Sequence, residues 1–370
     1  MFKNKRFRRI ITVSCIALSV ILVFICVTFS RNTQKSPASF PVSVTEPILS
    51  TDTLPEFSGT DAVGACLIDA KSGAVLYAKN KDKRLPMAST TKIMTALTVL
   101  ETVEPNTVIK VPKAAVGIEG SSIYLMENEE ISVENLLYGL LLESGNDAAE
   151  ALALYCAGSD EKFSELMNQK AHDFGLIDTH FTNPHGLNDP EHYTTAYELC
   201  VIAANALENN TFKKIVSSQK YHAAINGSDN VRFFSNHNRL LRYYNGCIGV
   251  KTGFTKVAGR CLVSAAQRDD RVYVAVTLND GNDWKDHQKM LDFAFENFDS
   301  IEIAAPNSIK VFNYGRVYSN PDGIYLTLSK STTHPDISYS VEFKDGFAQA
   351  KYYLDGTISG TFGLSEVTSE

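Results

Sequence analysis

The order in which strand-like and helix-like segments follow each other is the feature that most limits how this chain can fold. Two short apolar segments flank a hairpin turn at Lys71-Ser72-Gly73 and predict a pair of strands. Between Ser89 and Leu207, apolar residues recur at helical spacing, and after Gly246 the pattern returns to strands. Strands at both ends of a helical block predict an α/β fold in which one sheet is assembled around a helical insert.

The pattern of apolar and polar residues changes beyond Pro306, where short segments of alternating type predict strands separated by Asp-Gly turns. This pattern predicts a small all-β domain over residues 306–366, which follows a larger domain over residues 61–300. The predicted strands of the larger domain are Val63–Asp69, Ala74–Ala78, Ile248–Lys251, Arg260–Ala266 and Val272–Leu278. Its predicted helices, besides one that starts at Ser89, are Val133–Leu142, Asp147–Tyr155, Glu161–Phe174, Thr194–Leu207 and Asp283–Phe298.

The N-terminus has the pattern of a membrane segment. Basic residues between Lys3 and Arg9 precede a charge-free stretch from Ile10 to Ser30, which is about the length that spans a bilayer as a helix. Positive charge on the leading side predicts that the N-terminus is cytoplasmic and the rest of the chain lies outside. We therefore expect an anchor over residues 1–30 and a flexible linker rich in Pro, Ser and Thr over residues 31–60. A signal peptide that is cleaved near Ser30 is the alternative.

Charge and cysteine usage exclude some functions. The formal net charge is −7, and no Lys/Arg run occurs after the first ten residues, so nucleic-acid binding is not expected. The cysteines beyond the apolar stretch are isolated and form no Cys-x-x-Cys motif, which predicts buried free thiols instead of a disulfide framework or a metal site. They are Cys66, Cys156, Cys200, Cys247 and Cys261.

A serine and a lysine at a predicted helix start, in the string Ser89-Thr90-Thr91-Lys92, can form a nucleophile and its base. Three residues apart, Ser89 and Lys92 lie on one helix face. Because the ordinary pKa of lysine is about 10.4, Lys92 can act as a base only if burial or a neighbouring cation lowers its pKa. Taken alone, a capping serine with a solvated lysine explains the string better. However, Lys92 is followed by Ile93 and Met94, so it opens an apolar helix.

Two further strings follow in the chain. Ser144-Gly145-Asn146 connects two apolar helices, where a buried hydroxyl and amide need partners, although an ordinary helix break with a capping residue has the same appearance. Lys251-Thr252-Gly253 ends an apolar strand, where a glycine lets a substrate approach the backbone and a lysine can bind a carboxylate. An edge lysine followed by a turn is the alternative there. Together, the three strings could supply a nucleophile, a base, a proton relay and an anion anchor.

In this order, the strings resemble the Ser-x-x-Lys, Ser-x-Asn and Lys-Thr-Gly signatures of the serine penicillin-recognising enzymes. With the segments Phe181–Leu187 and His192–Tyr197, the chain is most similar to the low-molecular-weight D-alanyl-D-alanine carboxypeptidases of peptidase family S11. The resemblance extends from about Thr60 to Asp299 and, more weakly, to the β-domain. It implies a β-lactamase/transpeptidase-like domain, with an antiparallel sheet and a helical insert, plus a small C-terminal all-β domain.

The resemblance also implies catalytic roles. Ser89 would attack the carbonyl of the penultimate D-Ala of a peptidoglycan stem peptide ending in D-Ala-D-Ala, with Lys92 as the base. Ser144 would pass a proton to the departing D-Ala, and water would release the acyl-enzyme. Backbone N–H groups of Ser89 and Phe254 would form the oxyanion hole. No metal or cofactor is implied, and β-lactam antibiotics are the expected inhibitors.

The remaining site residues would bind the substrate. Asn146 would orient both the substrate and Lys92. Lys251 and Thr252 would hold the terminal carboxylate, and Lys251 would also help to keep Lys92 neutral. Gly253 would allow the substrate to lie close to the strand.

Several alternatives remain. A D,D-endopeptidase or a transpeptidase uses the same scaffold, and the sequence does not separate water from an amine as acceptor. A class A β-lactamase is less favoured, because no convincing Glu-x-x-Leu-Asn follows Ser144-Gly145-Asn146. A catalytically silent wall-binding scaffold is a third possibility. His185 and His192 suggest a catalytic triad, but we expect them to be core or loop histidines, because Lys92 already supplies the base.

Overall fold

The computed structural model describes residues 55–224, 231–313, 316–332, 335–344 and 347–367. The predicted membrane anchor and residues 31–54 of the predicted linker lie outside these described residues. Within the described ranges, every helix is too short or too polar to span a bilayer.

Eight α-helices and sixteen strands, numbered here in chain order, make up the described part of the chain. The helices are α1 (Lys92–Thr102), α2 (Val133–Leu142), α3 (Asn146–Ala157), α4 (Asp160–Asp173), α5 (Ala196–Glu208), α6 (Asn210–Ser217), α7 (Leu240–Tyr243) and α8 (Asp283–Asn297). The first nine strands are β1 (Gly64–Asp69), β2 (Val75–Lys79), β3 (Val108–Lys110), β4 (Glu130–Ser132), β5 (Lys220–Ala224), β6 (Val231–Ser235), β7 (Cys247–Thr255), β8 (Gly259–Arg268) and β9 (Arg271–Leu278). The others are β10 (Phe298–Ala304), β11 (Lys310–Asn313), β12 (Arg316–Ser319), β13 (Ile324–Ser329), β14 (Ile337–Lys344), β15 (Phe347–Leu354) and β16 (Thr357–Glu366).

The central sheet has five antiparallel strands in the order β2-β1-β9-β8-β7. Strand β1 pairs directly with β9, so that Leu67 lies opposite Ala275. The sheet is therefore assembled from both ends of the domain, as predicted. Because successive side chains of a strand point to opposite faces, Cys66 and Ile68 join the core under the helical insert, whereas Leu67 packs with Met290 of α8.

The helical insert runs from α1 to α6 and lies between β2 and β7. Helix α1 is at its centre, and the first eight residues of α1 are buried. Polar caps fix the starts of several helices: the Ser132 side chain accepts a hydrogen bond from Asn135 N at 3.2 Å, and Thr195 accepts one from Glu198 N at 3.1 Å. Each such cap contributes about 1 kcal/mol. The ends of α2 coincide with those predicted from its pattern.

The C-terminal region contains a five-stranded sheet, in the order β11-β12-β16-β15-β14, and the pair β10-β13. Strand β10 crosses residue 300, where the larger domain is predicted to end, and pairs with β13. The buried hydroxyl of Thr327 on β13 donates to Asp69 Oδ2 at 2.9 Å and lies 2.6 Å from Ser72 Oγ. Hydrogen bonds therefore join this region to the β1–β2 hairpin of the central sheet.

One residue within the range predicted as a flexible linker is packed. The ring of Phe57 lies 4.6 Å from that of Tyr77 and 5.1 Å from that of Phe293, measured between centroids. Such aromatic pairs add roughly 0.5–1.5 kcal/mol each beyond the burial of their surface. The segment just before β1 is therefore held against α8.

Candidate active site

The turn that carries Ser89 is a short 3₁₀ segment, Ala88–Thr91, which leads directly into α1. We call it the nucleophile turn, after the role that the sequence predicts for Ser89. Ala88 has a φ of +49°, a conformation that costs a non-glycine residue roughly 1–2 kcal/mol. Two threonine hydroxyls stabilise the turn: Thr90 Oγ1 donates to the Met87 carbonyl at 2.6 Å, and Thr91 Oγ1 donates to the Ala88 carbonyl at 2.8 Å. Ser89 is partly exposed, whereas its neighbours Ala88 and Thr90 are buried.

Lys92 has no exposed surface, and its ammonium nitrogen has three oxygen neighbours. Nζ lies 3.0 Å from Ser89 Oγ, 2.7 Å from Asn146 Oδ1 and 2.6 Å from the His185 carbonyl oxygen. The two carbonyl-type oxygens can only accept hydrogen bonds, whereas the serine hydroxyl can also donate one. A neutral Lys92 therefore gives its two N–H groups to Asn146 and His185 and directs its lone pair at the Ser89 hydroxyl.

The electrostatics favour this neutral form. Burial lowers the pKa of Lys92 well below its ordinary value, and the positive charge of Lys251 lowers it further, while Asp147 acts in the opposite direction. A buried amine without a full counter-charge loses its proton more readily than one in water. The pair Ser89–Lys92 thus has the contact that nucleophilic attack by a serine requires, and the lowered pKa favours the form of Lys92 that can accept a proton.

Ser144 and Asn146 lie where α2 ends and α3 begins. Ser144 is buried and has a φ of +64°. The amide orientation of Asn146 is fixed, because its Nδ2 donates to the Glu119 carbonyl at 2.5 Å while its Oδ1 accepts from Lys92. Among the described residues, the Ser144 hydroxyl makes no hydrogen bond to Ser89 or Lys92.

The carboxylate of Asp147 holds the loop beside this junction. It accepts hydrogen bonds from Ile123 N at 3.0 Å, from Leu125 N at 3.0 Å and from Ser122 Oγ at 2.6 Å. Charge-assisted bonds of this kind are roughly twice as strong as neutral ones. The loop therefore keeps the Glu119 carbonyl in place for Asn146.

Strand β7 forms the free edge of the central sheet and passes the nucleophile turn. A Cβ on Gly253 would lie 3.0 Å from Ser89 N and 3.1 Å from the Met87 carbonyl oxygen, so the glycine permits this close approach. The Lys251 side chain is 1% exposed, and its Nζ donates to the Thr252 carbonyl at 2.9 Å. Burial lowers the pKa of Lys251 to about 7, and Glu143 opposes the shift. The Phe254 side chain is 65% exposed.

The segment Asn183–Leu187 lies behind the nucleophile turn and was not assigned to the site from the sequence. The His185 carbonyl binds Lys92, and the Pro184 carbonyl accepts from Thr95 Oγ1 at 2.6 Å. Asn183 Oδ1 accepts from Gly186 N at 2.7 Å, which closes the loop on itself. The Asn-Pro-His-Gly motif was visible in the sequence, but its contribution is a backbone carbonyl, and no residue type identifies such a group.

The two histidines that suggested a triad are buried, and neither ring hydrogen-bonds to Ser89. His192 Nδ1 accepts from Thr182 N at 3.0 Å, so in the neutral ring Nε2 carries the proton and donates to Thr91 Oγ1 at 2.7 Å. Burial lowers the pKa of His185 to about 3 and that of His192 to about 4, so both rings are neutral at physiological pH. Both rings are buried, which agrees with the prediction of core or loop histidines, and His192 supports the nucleophile turn through Thr91.

One cluster near the site has ligand atoms close enough to suggest a metal. Atoms of Glu150, Asp160 and His185 lie within 4.8 Å of one another. However, His185 Nδ1 accepts from Leu187 N at 3.2 Å, so the other ring nitrogen carries the proton and offers no lone pair. Burial raises the pKa of Glu150 to about 7, and the negative charge of Asp160 also raises it. The arrangement is better explained as two neighbouring carboxyl groups whose pKa values are both raised by burial.

Comparison with known proteins places this site in a family context. The family model described as D-alanyl-D-alanine carboxypeptidase, peptidase family S11, matches residues 51–282. The D-alanyl-D-alanine carboxypeptidase DacF of Bacillus subtilis strain 168 is 36% identical over 303 residues, which cover 78% of this chain and 78% of DacF. The D-alanyl-D-alanine carboxypeptidase of Streptomyces sp. strain K15 is 38% identical over 233 residues, which cover 59% of this chain and 80% of the relative.

Two solved structures share the fold. Penicillin binding protein 5 from Haemophilus influenzae is 26% identical, with a TM-score of 0.70, over 86% of this chain and 98% of its own. The Streptomyces K15 DD-transpeptidase is 32% identical, with a TM-score of 0.61, over 65% of this chain and 100% of its own.

Proposed function

Because the chain belongs to the S11 family of D-alanyl-D-alanine carboxypeptidases, we propose that Ser89 is the nucleophile with which it removes the terminal D-Ala of peptidoglycan stem pentapeptides. The protein is a serine-type D-alanyl-D-alanine carboxypeptidase, a hydrolase. The observation that supports the assignment to Ser89 is the position of Lys92 Nζ, which is held by two carbonyl-type oxygens and lies 3.0 Å from Ser89 Oγ.

Acylation follows from this arrangement. Ser89 Oγ attacks the carbonyl carbon of the penultimate D-Ala, and its proton passes to Lys92. When the tetrahedral intermediate collapses, the C–N bond to the terminal D-Ala breaks, and Lys92 returns the proton to the leaving amine through Ser144. A water molecule then attacks the ester in the same way and releases the shortened peptide together with the free Ser89 hydroxyl.

Binding of the substrate uses the edge of β7. The terminal carboxylate binds Lys251 and Thr252, and Asn146 orients the peptide beside Lys92. The backbone N–H groups of Ser89 and Phe254 stabilise the oxyanion, an effect that is worth roughly 3–4 kcal/mol per donor in comparable enzymes. The glycine at position 253 supports this placement, because a Cβ there would lie 3.0 Å from Ser89 N and would displace β7 from that proposed oxyanion donor.

Labelling by a fluorescent penicillin, combined with D-Ala release from a pentapeptide, tests the assignment. Wild type and Ser217→Ala, which replaces a half-buried serine at the end of α6, should both become labelled and release D-Ala. Ser89→Ala should do neither. Equal labelling of Ser89→Ala would show that another residue is the nucleophile, and a wild type that neither labels nor releases D-Ala would favour a silent scaffold.

A second activity on the same site is supported by the likeness to a structure described as a DD-transpeptidase. The two activities differ in the acceptor that attacks the acyl-enzyme, which is water or an amine. Incubation with a pentapeptide, with a cross-linked dimer and with an amine acceptor separates them. Release of free D-Ala alone would support carboxypeptidase activity. Cleavage of the dimer would support endopeptidase activity, and an amide product with the added amine would support transpeptidase activity.

Enzymes of this family act on the cell-wall side of the membrane. We propose that residues 1–30 anchor the protein there and residues 31–60 connect the anchor to a catalytic domain over residues 61–300. A small β-domain over residues 306–366 follows. The charge-free stretch after Arg9 supports the anchor. Sequencing the N-terminus of the membrane-bound and secreted forms tests it, because cleavage near Ser30 would give a soluble enzyme.

A further inference from the structure

A buried chain of hydrogen bonds leads from the segment behind the nucleophile turn to the residue just before Ser89. The main-chain nitrogen of Thr182 lies 3.0 Å from Nδ1 of His192, and Nε2 of the same ring lies 2.7 Å from the hydroxyl of Thr91. That hydroxyl lies 2.8 Å from the Ala88 carbonyl oxygen. Three hydrogen bonds therefore connect a distant main-chain N–H group to the nucleophile turn.

Only one arrangement of protons satisfies every bond of this chain. The Ala88 carbonyl can only accept, so the single hydrogen of the Thr91 hydroxyl points to it. The hydroxyl must then accept its second bond, and the donor is Nε2–H of His192. In the neutral ring Nδ1 is an acceptor, which matches the N–H that Thr182 presents to it. Burial lowers the pKa of His192 to about 4 and so favours this neutral ring.

The packing around His192 fixes the direction of its ring. The residue is 3% exposed, and its ring lies edge-on to that of Phe181, with centroids 5.7 Å apart. Main-chain hydrogen bonds of 2.9 and 3.1 Å between His180 and Tyr193 hold the backbone beside it. A side chain that is locked by packing and by a hydrogen bond at Nδ1 presents its Nε2–H in one direction.

The other end of the chain is the strained part of the nucleophile turn. Ala88 has a φ of +49°, a conformation that persists only where the surrounding structure holds it. Ala88 directly precedes Ser89, and Thr91 directly precedes Lys92, so the bond between Thr91 and Ala88 closes the turn that carries both reacting groups. A shift of this turn would change the 3.0 Å distance between Ser89 Oγ and Lys92 Nζ.

We infer that His192 is a positioning residue for acylation. Its Nε2–H holds the Thr91 hydroxyl toward the Ala88 carbonyl, and the turn held in this way keeps the nucleophile beside its base. His192 acts through Thr91, and among the described residues its ring makes no hydrogen bond to Ser89 or Lys92. This inference rests on the proposed function, in which Ser89 is the nucleophile.

Two substitutions of His192 separate the roles of its two ring nitrogens. The amide nitrogen of glutamine can replace Nε2 and donate to Thr91, whereas the amide oxygen of asparagine can replace Nδ1 and accept from Thr182. In D-Ala release, kcat of His192→Gln should lie within about threefold of wild type, while kcat of His192→Asn should fall at least about tenfold, since a misplacement of 1 Å costs about 10²-fold. KM should stay within about twofold, because a change confined to the transition state lowers kcat and kcat/KM alike.

Thr91 supplies a second pair of variants. Thr91→Val removes the hydroxyl and should lose about as much kcat as His192→Asn, whereas Thr91→Ser keeps the hydroxyl and should stay close to wild type. Combining Thr91→Val with His192→Asn should cost little more than either change alone, because both remove the same hydrogen bond. His180→Asn is the matched control: it removes the bond from His180 Nδ1 to the Glu191 carbonyl in the same segment and should leave kcat unchanged.

The tautomer of His192 gives a readout that does not depend on activity. In protein labelled with ¹⁵N-histidine, Nε2 of His192 should have the chemical shift of a protonated nitrogen and Nδ1 that of an unprotonated one at neutral pH. The loss of these signals in His192→Asn assigns them. The opposite tautomer would overturn the inference, because the ring could then not donate to Thr91.

The kinetic results can also contradict the inference. A wild-type kcat in His192→Asn, or equal losses in His192→Gln and His192→Asn, would do so. A loss in His180→Asn as large as that in His192→Asn would attribute the effect to a general loosening of the segment. If His192→Asn does not fold, a wild-type kcat in Thr91→Val would refute the inference instead, and a loss that Thr91→Ser restores would support it. Failure of the proposed function is recognised separately, because wild type would then release no D-Ala while the tautomer could still be measured.

Discussion

Substituting Gly186 by alanine tests how strictly the loop behind the nucleophile fixes the position of Ser89. Gly186 has a φ of +89°, and a Cβ there would overlap the carbonyl group of Ala88 and lie 2.9 Å from Thr91 Oγ1. Ala88 directly precedes Ser89, and Thr91 is the residue that His192 holds in place. The added methyl group therefore displaces the Ala88 carbonyl group and the Thr91 hydroxyl, both of which belong to the nucleophile turn.

The size of the effect follows from this contact. An ordinary carbon–oxygen contact is about 3.3 Å or longer, and the Cβ would lie more than 1 Å inside that distance from the Ala88 carbonyl oxygen. The turn or the loop has to move by roughly 1 Å, and a misplacement of that size costs about 10²-fold in rate. The left-handed backbone adds about 1–2 kcal/mol of strain, and overpacking adds about 1–3 kcal/mol to the loss of unfolding free energy.

The assay is the second-order rate constant for acylation by a fluorescent penicillin, measured with the melting temperature of each variant. Gly158→Ala is the matched control, because Gly158 has a φ of +81° and a Cβ there would meet nothing within 4 Å. It has the same backbone strain without the contact at the turn, so it should lose about 1 kcal/mol of stability and acylate at the wild-type rate.

A folded Gly186→Ala protein that acylates within about threefold of wild type would contradict this prediction, since a shift of roughly 1 Å in the turn should not be tolerated. It would also fail if Gly158→Ala slowed acylation as strongly, because backbone strain and not the contact with Ala88 would then account for the loss.

Two further predictions concern buried carboxyl groups. Burial raises the pKa of Glu150 from 4.5 to about 7, so the folded protein binds this proton more tightly than the unfolded chain does. The free energy of unfolding should therefore fall as the pH rises from about 4.5 through 7. With solvent screening allowed for, the loss should be about 1.5–3 kcal/mol. Urea unfolding of Glu150→Gln should lack this component, and a wild-type curve with the same pH dependence as the variant would contradict the assignment. Thr327→Val removes the donor to Asp69 Oδ2 and the contact with Ser72. The free energy of unfolding should therefore fall by about 1–3 kcal/mol, and limited proteolysis should cut between β9 and β13 sooner. An unchanged cleavage rate would show that these hydrogen bonds do not hold the C-terminal region.

Much of the fold could be predicted from the sequence, because it depends on local periodicity. Apolar spacing gave the limits of α2, and the change from helical to alternating patterns placed β8 and β9. Strand β10, which crosses the predicted domain boundary at residue 300, was missed, because its pairing with β13 depends on partners twenty or more residues away. The short elements α6, α7 and the hairpins β3–β4 and β5–β6 were also missed, since few residues carry each pattern.

The candidate site was likewise predicted only in part from the sequence. The sequence determined that Ser89 and Lys92 share one helix face, since three residues of α-helical spacing suffice for this. It also indicated that a hydroxyl, an amide and a second lysine follow in a fixed order. These are properties of side-chain type and spacing, and both can be read from the chain itself.

The protonation form that the site favours for Lys92 depends on tertiary contacts. The two oxygens that direct its lone pair to Ser89 come from Asn146 and His185, which are 54 and 93 residues away along the chain. One of them is a backbone carbonyl, which every residue type has. The burial that lowers the pKa of both lysines, and the charge of Glu143 that opposes it at Lys251, exist only once the helical insert and the edge of β7 enclose them. Desolvation and long-range charge depend on the whole fold, and no local pattern encodes them.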